Sequence, residues 1–108
     1  MNISFKYWTC RIVVTKYAQN GSIAINLVDA INGSPITTAT VNLSPYGLVP
    51  EPNQCYIKDY AENEGILKSL VMAGAVIPVK IVRFGPYSSP AVLCKLSPKL
   101  IEELSATA

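Results

Sequence analysis

The segment KDYAENEG, residues 58–65, brings together the carboxylates of Asp59, Glu62 and Glu64. Carboxylates at this spacing could bind a divalent cation or work as a general acid and base. The chain contains no histidine, however, which removes the usual general base and the commonest transition-metal ligand. The D-x-D-x-D-G pattern of a calcium loop is also missing. We therefore favour a structural role for these acids over catalysis or metal binding.

Three cysteines, Cys10, Cys55 and Cys94, are the other groups with chemical potential. Their odd number and wide spacing suit neither a disulfide framework nor a CxxC metal site, so we predict reduced thiols in the core. A cysteine nucleophile would lack its usual histidine partner. The six glycines form no phosphate-binding motif. These observations predict a protein that has no enzymatic activity and needs no cofactor.

Composition predicts a single domain over residues 1–108, because half of the residues are apolar and a chain of this length can bury a core. The net charge of +2 comes from scattered residues, with no run of like charge that would mark a nucleic-acid or acidic-lipid patch. The N-terminus lacks the features of a secretory signal, and no apolar run approaches the ~20 residues of a membrane helix. We expect a cytoplasmic protein without membrane contact.

The first half of the chain has the period of β-strands. The segments ISFKYW, SIAINLVDA and ITTATVNL alternate apolar and more polar residues. CRIVVTKYA continues ISFKYW as a β-rich run, and the two predict either a hairpin or one long bent strand. Asn20 and Gly21 predict a type I′ turn, and Asn32 and Gly33 predict a second tight connection. This pattern is typical of an antiparallel meander with one buried face. The Pro-rich segment 44–54 then predicts a surface loop.

A helix is predicted over residues 62–74. Apolar residues recur there at helical spacing, and a glycine follows them at the expected C′ position: Ile66, Leu67, Leu70, Val71, Ala73 and Gly74. Asp59 or Asn63 can cap the free amides of this helix. Glu62 and Glu64 would lie in its first turn, where the helix dipole favours negative charge. The acids thus have a structural explanation.

The remaining elements complete an α+β prediction. AVIPVKIVRFG predicts a strand, and AVLCKLS predicts a last strand that is buried on both faces or lies in the middle of the sheet. Ser97 as N-cap and Pro98 at the first helical position predict a short helix over 98–105. We expect an antiparallel sheet of about five or six strands, with the 62–74 helix packed on it.

One resemblance rests on LVDAINGSPITTATVNL followed by YIKDYAENEGILKSLVMAG. These segments resemble a family of small uncharacterised accessory proteins of bacterial mobile elements and phages, with the patterns VD...G.P....TVNL and IKDY.ENEG.L..L..AG. The likeness covers residues 23–77, and its C-terminal end is looser. It implies no enzymatic activity. By analogy, small proteins of this kind act stoichiometrically against host machines, including CRISPR and other defence complexes.

These observations leave two classes of function, and for each the same residues could instead have a purely structural role. The first is a protein-binding protein that inhibits a host protein or complex through aromatic and acidic residues: Tyr46, Tyr56, Asp59, Tyr60, Glu62, Glu64 and Tyr87. The second is a nucleic-acid-binding module that uses a basic sheet face: Lys6, Arg11, Lys16, Lys80, Arg83 and Lys95. Tyrosines that edge the core and basic residues on solvated strands explain the same patterns. The oligomeric state is open.

Overall fold

The computed structural model describes residues 1–106, and it confirms the α+β class. Seven strands form two antiparallel sheets: β1 Asn2–Phe5, β2 Trp8–Lys16, β3 Ile23–Asp29, β4 Pro35–Thr38, β5 Gln54–Ile57, β6 Val76–Phe84 and β7 Ser89–Leu96. The helices are α1 Ile66–Met72 and α2 Pro98–Ala106. The predicted single sheet of five or six strands is therefore divided, into a first sheet of four strands and a second sheet of three.

The first sheet is the predicted meander, with the strands in the order β1-β2-β3-β4. β1 and β2 form a hairpin in which Phe5 lies opposite Trp8. β2 and β3 keep one continuous register from Cys10, opposite Asp29, to the far end of the pair. One face of this sheet is buried in the main core, which includes Ile12 and Leu27.

The two Asn-Gly turns of the meander have the same geometry, over residues 17–22 and 29–34. In each turn the N–H of the first residue donates to the C=O of the last, and the glycine N–H donates to the C=O of the first, all at 2.8 Å. Only the glycine has a positive φ, because the asparagine instead accepts a hydrogen bond from the serine N–H, as Asn20 does from Ser22 at 3.0 Å. The turn position was predicted correctly, but type I′ is wrong.

The predicted strand ITTATVNL is split between the two sheets. β4 ends at Thr38, and the chain then crosses to β5. The N–H of Val41 donates to the C=O of Tyr56 at 3.0 Å, and the N–H of Lys58 donates to the C=O of Ala39 at 2.9 Å. Residues 39–41 therefore pair with the outer side of β5 and link the sheets.

β7 is the central strand of the second sheet, which has the order β5-β7-β6 and confirms the prediction for AVLCKLS. Successive side chains of a strand point to opposite faces. Cys94 and Leu96 thus join the main core, whereas Leu93 packs on the other face in a second, smaller core with Leu43 and Tyr56.

The main helix is shorter than predicted. α1 begins at Ile66, after Gly65 with φ 90°, and a separate 3₁₀ turn covers Ala61–Asn63. Glu62 and Glu64 therefore precede the helix, and their predicted place in its first turn is wrong. The reason is local, because Gly65 adopts the left-handed conformation and interrupts any helix that starts at 62.

Two predicted capping side chains and the glycine predicted to follow the main helix are confirmed. The N–H of Leu67 donates to Asp59 Oδ1 at 3.1 Å, so Asp59 caps α1 from eight residues upstream. Gly74 follows the helix with a positive φ of 73°. The N–H of Leu100 donates to Ser97 Oγ at 3.1 Å at the start of α2. Buried apolar residues on both helices fix them to the main core: Ile66, Leu70 and Leu100.

Candidate protein-docking surface on the β6–β7 hairpin

The acidic segment at 58–65 is held in place by hydrogen bonds and an ion pair with lysine side chains. Lys58 Nζ lies 2.8 Å from Glu62 Oε1, and Lys6 Nζ donates to the backbone C=O of Glu62 at 2.8 Å. The hydrogen bond from Lys58 is the main cause that lowers the pKa of Glu62. Within residues 1–106 no three His, Cys, Asp or Glu side chains are grouped so that they could hold a metal ion. This geometry favours the structural interpretation of the acids.

Asn63 has a role that differs from the predicted one. Its side chain is fully buried; Thr37 Oγ1 donates to its Oδ1 at 2.6 Å, and its Nδ2 donates to the C=O of Thr38 at 2.8 Å. A buried amide needs such partners to offset its desolvation. Asn63 therefore clamps the 3₁₀ turn onto β4 instead of capping α1.

All three thiols lie in the core, as predicted, and all are free. Cys55 and Cys94 are directly opposite each other on β5 and β7. Burial raises the pKa of both to about 12, with a smaller contribution from Cys94 to that of Cys55. Burial, and then the Asp29 carboxylate, raise the pKa of Cys10. Thiols in this state are poorly nucleophilic near neutral pH.

The aromatic and acidic residues predicted as an interface do not form one surface. Tyr56 is 6% exposed and belongs to the second core, so the expectation that it contributes contact area is corrected. Tyr46 and Tyr87 lie at the turn end of the β6–β7 hairpin, and the Tyr46 ring is 5.5 Å from that of Phe84. Asp59, Tyr60, Glu62 and Glu64 lie in the connection ahead of α1.

The basic residues predicted as a nucleic-acid face are divided between the sheets, so one shared face is wrong. Lys6 lies in the β1–β2 turn and is engaged with the Glu62 carbonyl. Arg11 and Lys16 lie on β2 at positions of opposite parity, so they point to opposite faces. The other three basic residues lie together on the second sheet: Lys80, Arg83 and Lys95.

β6 is an exposed edge strand. It is nine residues long, and within residues 1–106 it pairs with β7 alone. The side chains of Ile77, Val79 and Ile81 are 48, 47 and 67% exposed. We call the outer, unpaired side of β6, with the side chains of Ile77, Val79 and Ile81, the β6 edge. This edge was not predicted from the sequence, although Pro78 inside the strand is a signal of one, since proline within a sheet is confined to edges, strand starts and bulges.

The hairpin that carries the β6 edge is uniformly basic. Residues 76–96 contain Lys80, Arg83 and Lys95 and no Asp or Glu. Lys80 is opposite Leu93, and Arg83 is opposite Pro90. Opposite residues share a face, so Lys80 and Arg83 put positive charge on different faces of the sheet. A partner would meet a cation on either face.

An apolar depression of about 260 Å³ lies beside the β6 edge. Its lining comes from β5, β6, β7, α1 and the connection before α1: Ile57, Asp59, Tyr60, Leu67, Ile81, Pro90 and Val92. Asp59 is the only charged residue of the lining, and its carboxylate accepts the N–H of Leu67. Two of the residues predicted from the sequence, Asp59 and Tyr60, therefore border this surface.

Comparison of the chain with protein-family models, with curated proteins and with solved structures finds no match. The resemblance over residues 23–77 thus stays a prediction. Within residues 1–106 neither helix has the length and apolar character needed to cross a bilayer.

Proposed function

We propose that this protein is a non-enzymatic binding protein whose partner is another protein, and that it docks through the β6 edge. The observation that carries the proposal is the exposure of Ile77, Val79 and Ile81 along a nine-residue edge strand. An apolar edge left in water is an aggregation hazard. A protein partner that covers these side chains removes that hazard and gains free energy from their burial.

The residues at the end of the hairpin support the same proposal. Tyr46 and Tyr87 are 53 and 90% exposed, and Tyr46 packs on Phe84. Tyrosine and arginine are enriched where binding energy concentrates, and Arg83 lies one residue before Phe84. The β6 edge therefore combines apolar, aromatic and cationic groups on one hairpin.

The resemblance narrows the partner. If the chain is an accessory protein of a mobile element or phage, we propose that it acts stoichiometrically in the cytoplasm on a host protein or complex. By analogy with small accessory proteins that act against host defence, we propose a CRISPR-type defence complex as the target. The support for this narrower proposal is the sequence pattern of residues 23–77.

Quantitative capture from a source-cell lysate tests the proposal, with nuclease added to one half of each sample. The baits are the wild type, Ile81→Asn and the matched control Ile31→Asn, since Ile31 is 92% exposed in the turn between β3 and β4. We expect a protein that survives nuclease, is retained by Ile31→Asn and is lost with Ile81→Asn. Loss of the captured material on nuclease treatment would favour the nucleic-acid alternative.

A further inference from the structure

We infer that the β6 edge accepts an added β-strand, an extended segment of the partner in which an apolar residue lies between acidic ones. This inference rests on the proposed protein-binding function and specifies its chemistry. Strand addition uses the main-chain groups of an open edge for affinity and the neighbouring side chains for specificity. Both kinds of group are present at β6.

The other edges within residues 1–106 are short or covered. β4 is clamped by Asn63, and the outer side of β5 pairs with residues 39–41. β1 has four residues and packs beside α1. β6 is therefore the longest edge of the described chain that is open to another strand.

The second half of β6 has the regular geometry that strand addition needs. Pro78 has no N–H, and a bulge at Val79 breaks the register between Pro78 and Lys80. From Lys80 to Phe84 the register with β7 is continuous. In an antiparallel pair alternate residues direct both N–H and C=O to the neighbouring strand. At least two of the residues in 80–84 thus direct both groups to the open side.

The side chains along 80–84 define what the added strand must carry. Ile81 lines the apolar depression and is 67% exposed, so an apolar side chain beside it would cover both. The carboxylate of Asp59 in that lining disfavours an acid at this point. Lys80 and Arg83, on either side of Ile81, favour acidic side chains. The partner segment therefore places an apolar residue at Ile81 and acids at Lys80 and Arg83.

Charge also decides between this partner and a second copy of the chain. Residues 76–96 contain no acid, so two β6 strands cannot form an ion pair in any register. An antiparallel pair centred on Lys80 would place Lys80 opposite its own copy, and like charges directly opposite each other are destabilising. The edge therefore selects an acidic strand over itself.

Peptide titration followed by backbone amide NMR tests the inference on the full chain. The probe is the capped peptide Glu-Thr-Ile-Glu-Ile-Thr-Glu, whose palindromic sequence presents the required pattern in either strand direction. The control peptide has lysine at each glutamate position. We expect the acidic peptide to bind at least about tenfold more tightly, with the largest shifts in residues 80–84. Equal binding of the two peptides, no binding, or shifts centred elsewhere would overturn the inference.

A charge reversal sharpens this test. Lys80→Glu should remove the preference for the acidic peptide by at least about tenfold, whereas Lys99→Glu, an exposed substitution on α2 with the same net charge, should preserve it. An unchanged preference in Lys80→Glu would contradict the assignment. A concentration-dependent dimer that is lost in Ile81→Asn would instead identify a second copy as the occupant.

The two proposals fail in different ways. If lysate capture yields a partner that depends on Ile81 but neither peptide binds, protein binding stands and strand addition is wrong. If the acidic peptide binds at 80–84 but no captured protein depends on Ile81, the docking chemistry stands and the proposed function is wrong.

Discussion

The β4 edge of the first sheet and the β6 edge of the second sheet differ in whether the fold covers them. On the first sheet, the C=O of Thr38 at the β4 edge accepts a hydrogen bond from the buried side chain of Asn63. On the second sheet, β6 leaves its outer side uncovered and exposes Ile77, Val79 and Ile81. The Thr38 carbonyl lies against the fully buried Asn63 side chain, where a backbone group without a partner would cost free energy. An edge left in water keeps its hydrogen-bonding capacity for another strand.

Removing the clamp should have the largest effect on stability. Asn63→Ala deletes two short hydrogen bonds and leaves the Thr38 carbonyl without its partner, so we expect the free energy of unfolding to fall by about 3 kcal/mol. Urea denaturation measures this loss. The matched control Asn2→Ala, at an exposed position of β1, should change stability by less than ~0.5 kcal/mol. A loss below ~1 kcal/mol for Asn63→Ala would mean that the β4 edge does not need its clamp.

The two buried thiols of the second sheet should make the free energy of unfolding depend on pH. Burial raises the pKa of Cys55 and of Cys94 to about 12 in the fold, whereas the pKa of a thiol in the unfolded chain is ~8.5. The unfolded state loses these protons first, so stability is full below ~8.5 and declines above it, by up to ~1.4 kcal/mol per pH unit for each thiol. At pH 10 one thiol accounts for a loss of about 2 kcal/mol.

Denaturation of the wild type and of Cys94→Ala between pH 7.5 and 10 isolates this contribution. The variant is less stable throughout, but its stability should decline less steeply above ~8.5, because one ionising thiol has been removed. Equal slopes for the two proteins would show that the thiol environment opens to solvent.

The third prediction concerns Asp59, which caps α1 from the connection beside the β6 edge. Asp59→Ala removes the acceptor for the Leu67 N–H and should lower the free energy of unfolding by about 1 kcal/mol. Glu64→Ala, also before the helix but exposed, should change it by less than ~0.5 kcal/mol. If a chelator lowered the melting temperature of the wild type but not of Asp59→Ala, the acids would be a metal site and the structural interpretation would be wrong.

The smallest effect is expected at the open edge itself. Ile81→Val should change the free energy of unfolding by less than ~0.5 kcal/mol, because the side chain is already 67% exposed. Ile57→Val makes the same chemical change at a fully buried position and should cost about 1 kcal/mol. Similar losses in the two variants would show that Ile81 is packed by the fold and is not available to a partner.

Part of the candidate site was accessible from the sequence. Tyr46, Tyr87, Lys80 and Arg83 were singled out by residue type, and all four lie on or beside the β6–β7 hairpin. From the sequence they were assigned to two competing functions, because nothing local shows that Tyr46 packs beside the hairpin that carries the other three. Ile81 was missed, since an apolar residue at strand spacing reads as core until its neighbours are known.

The sequence by itself determined the elements that depend on short-range interactions. The alternation of strands, the Asn-Gly turn positions, the Ser97 cap and the end of α1 at Gly74 all follow from residues within a few positions of each other. The Asp59 cap spans eight residues and is the longest-range of the local signals. Only the tertiary structure decided which strands share a sheet, because pairings such as Val41 with Tyr56 and Cys55 with Cys94 join residues far apart along the chain. These distant pairings bury Tyr56 on β5 and leave β6 at the edge. Apart from Pro78, which signals an edge or a bulge, the residues along each strand do not show which neighbours the strand will have.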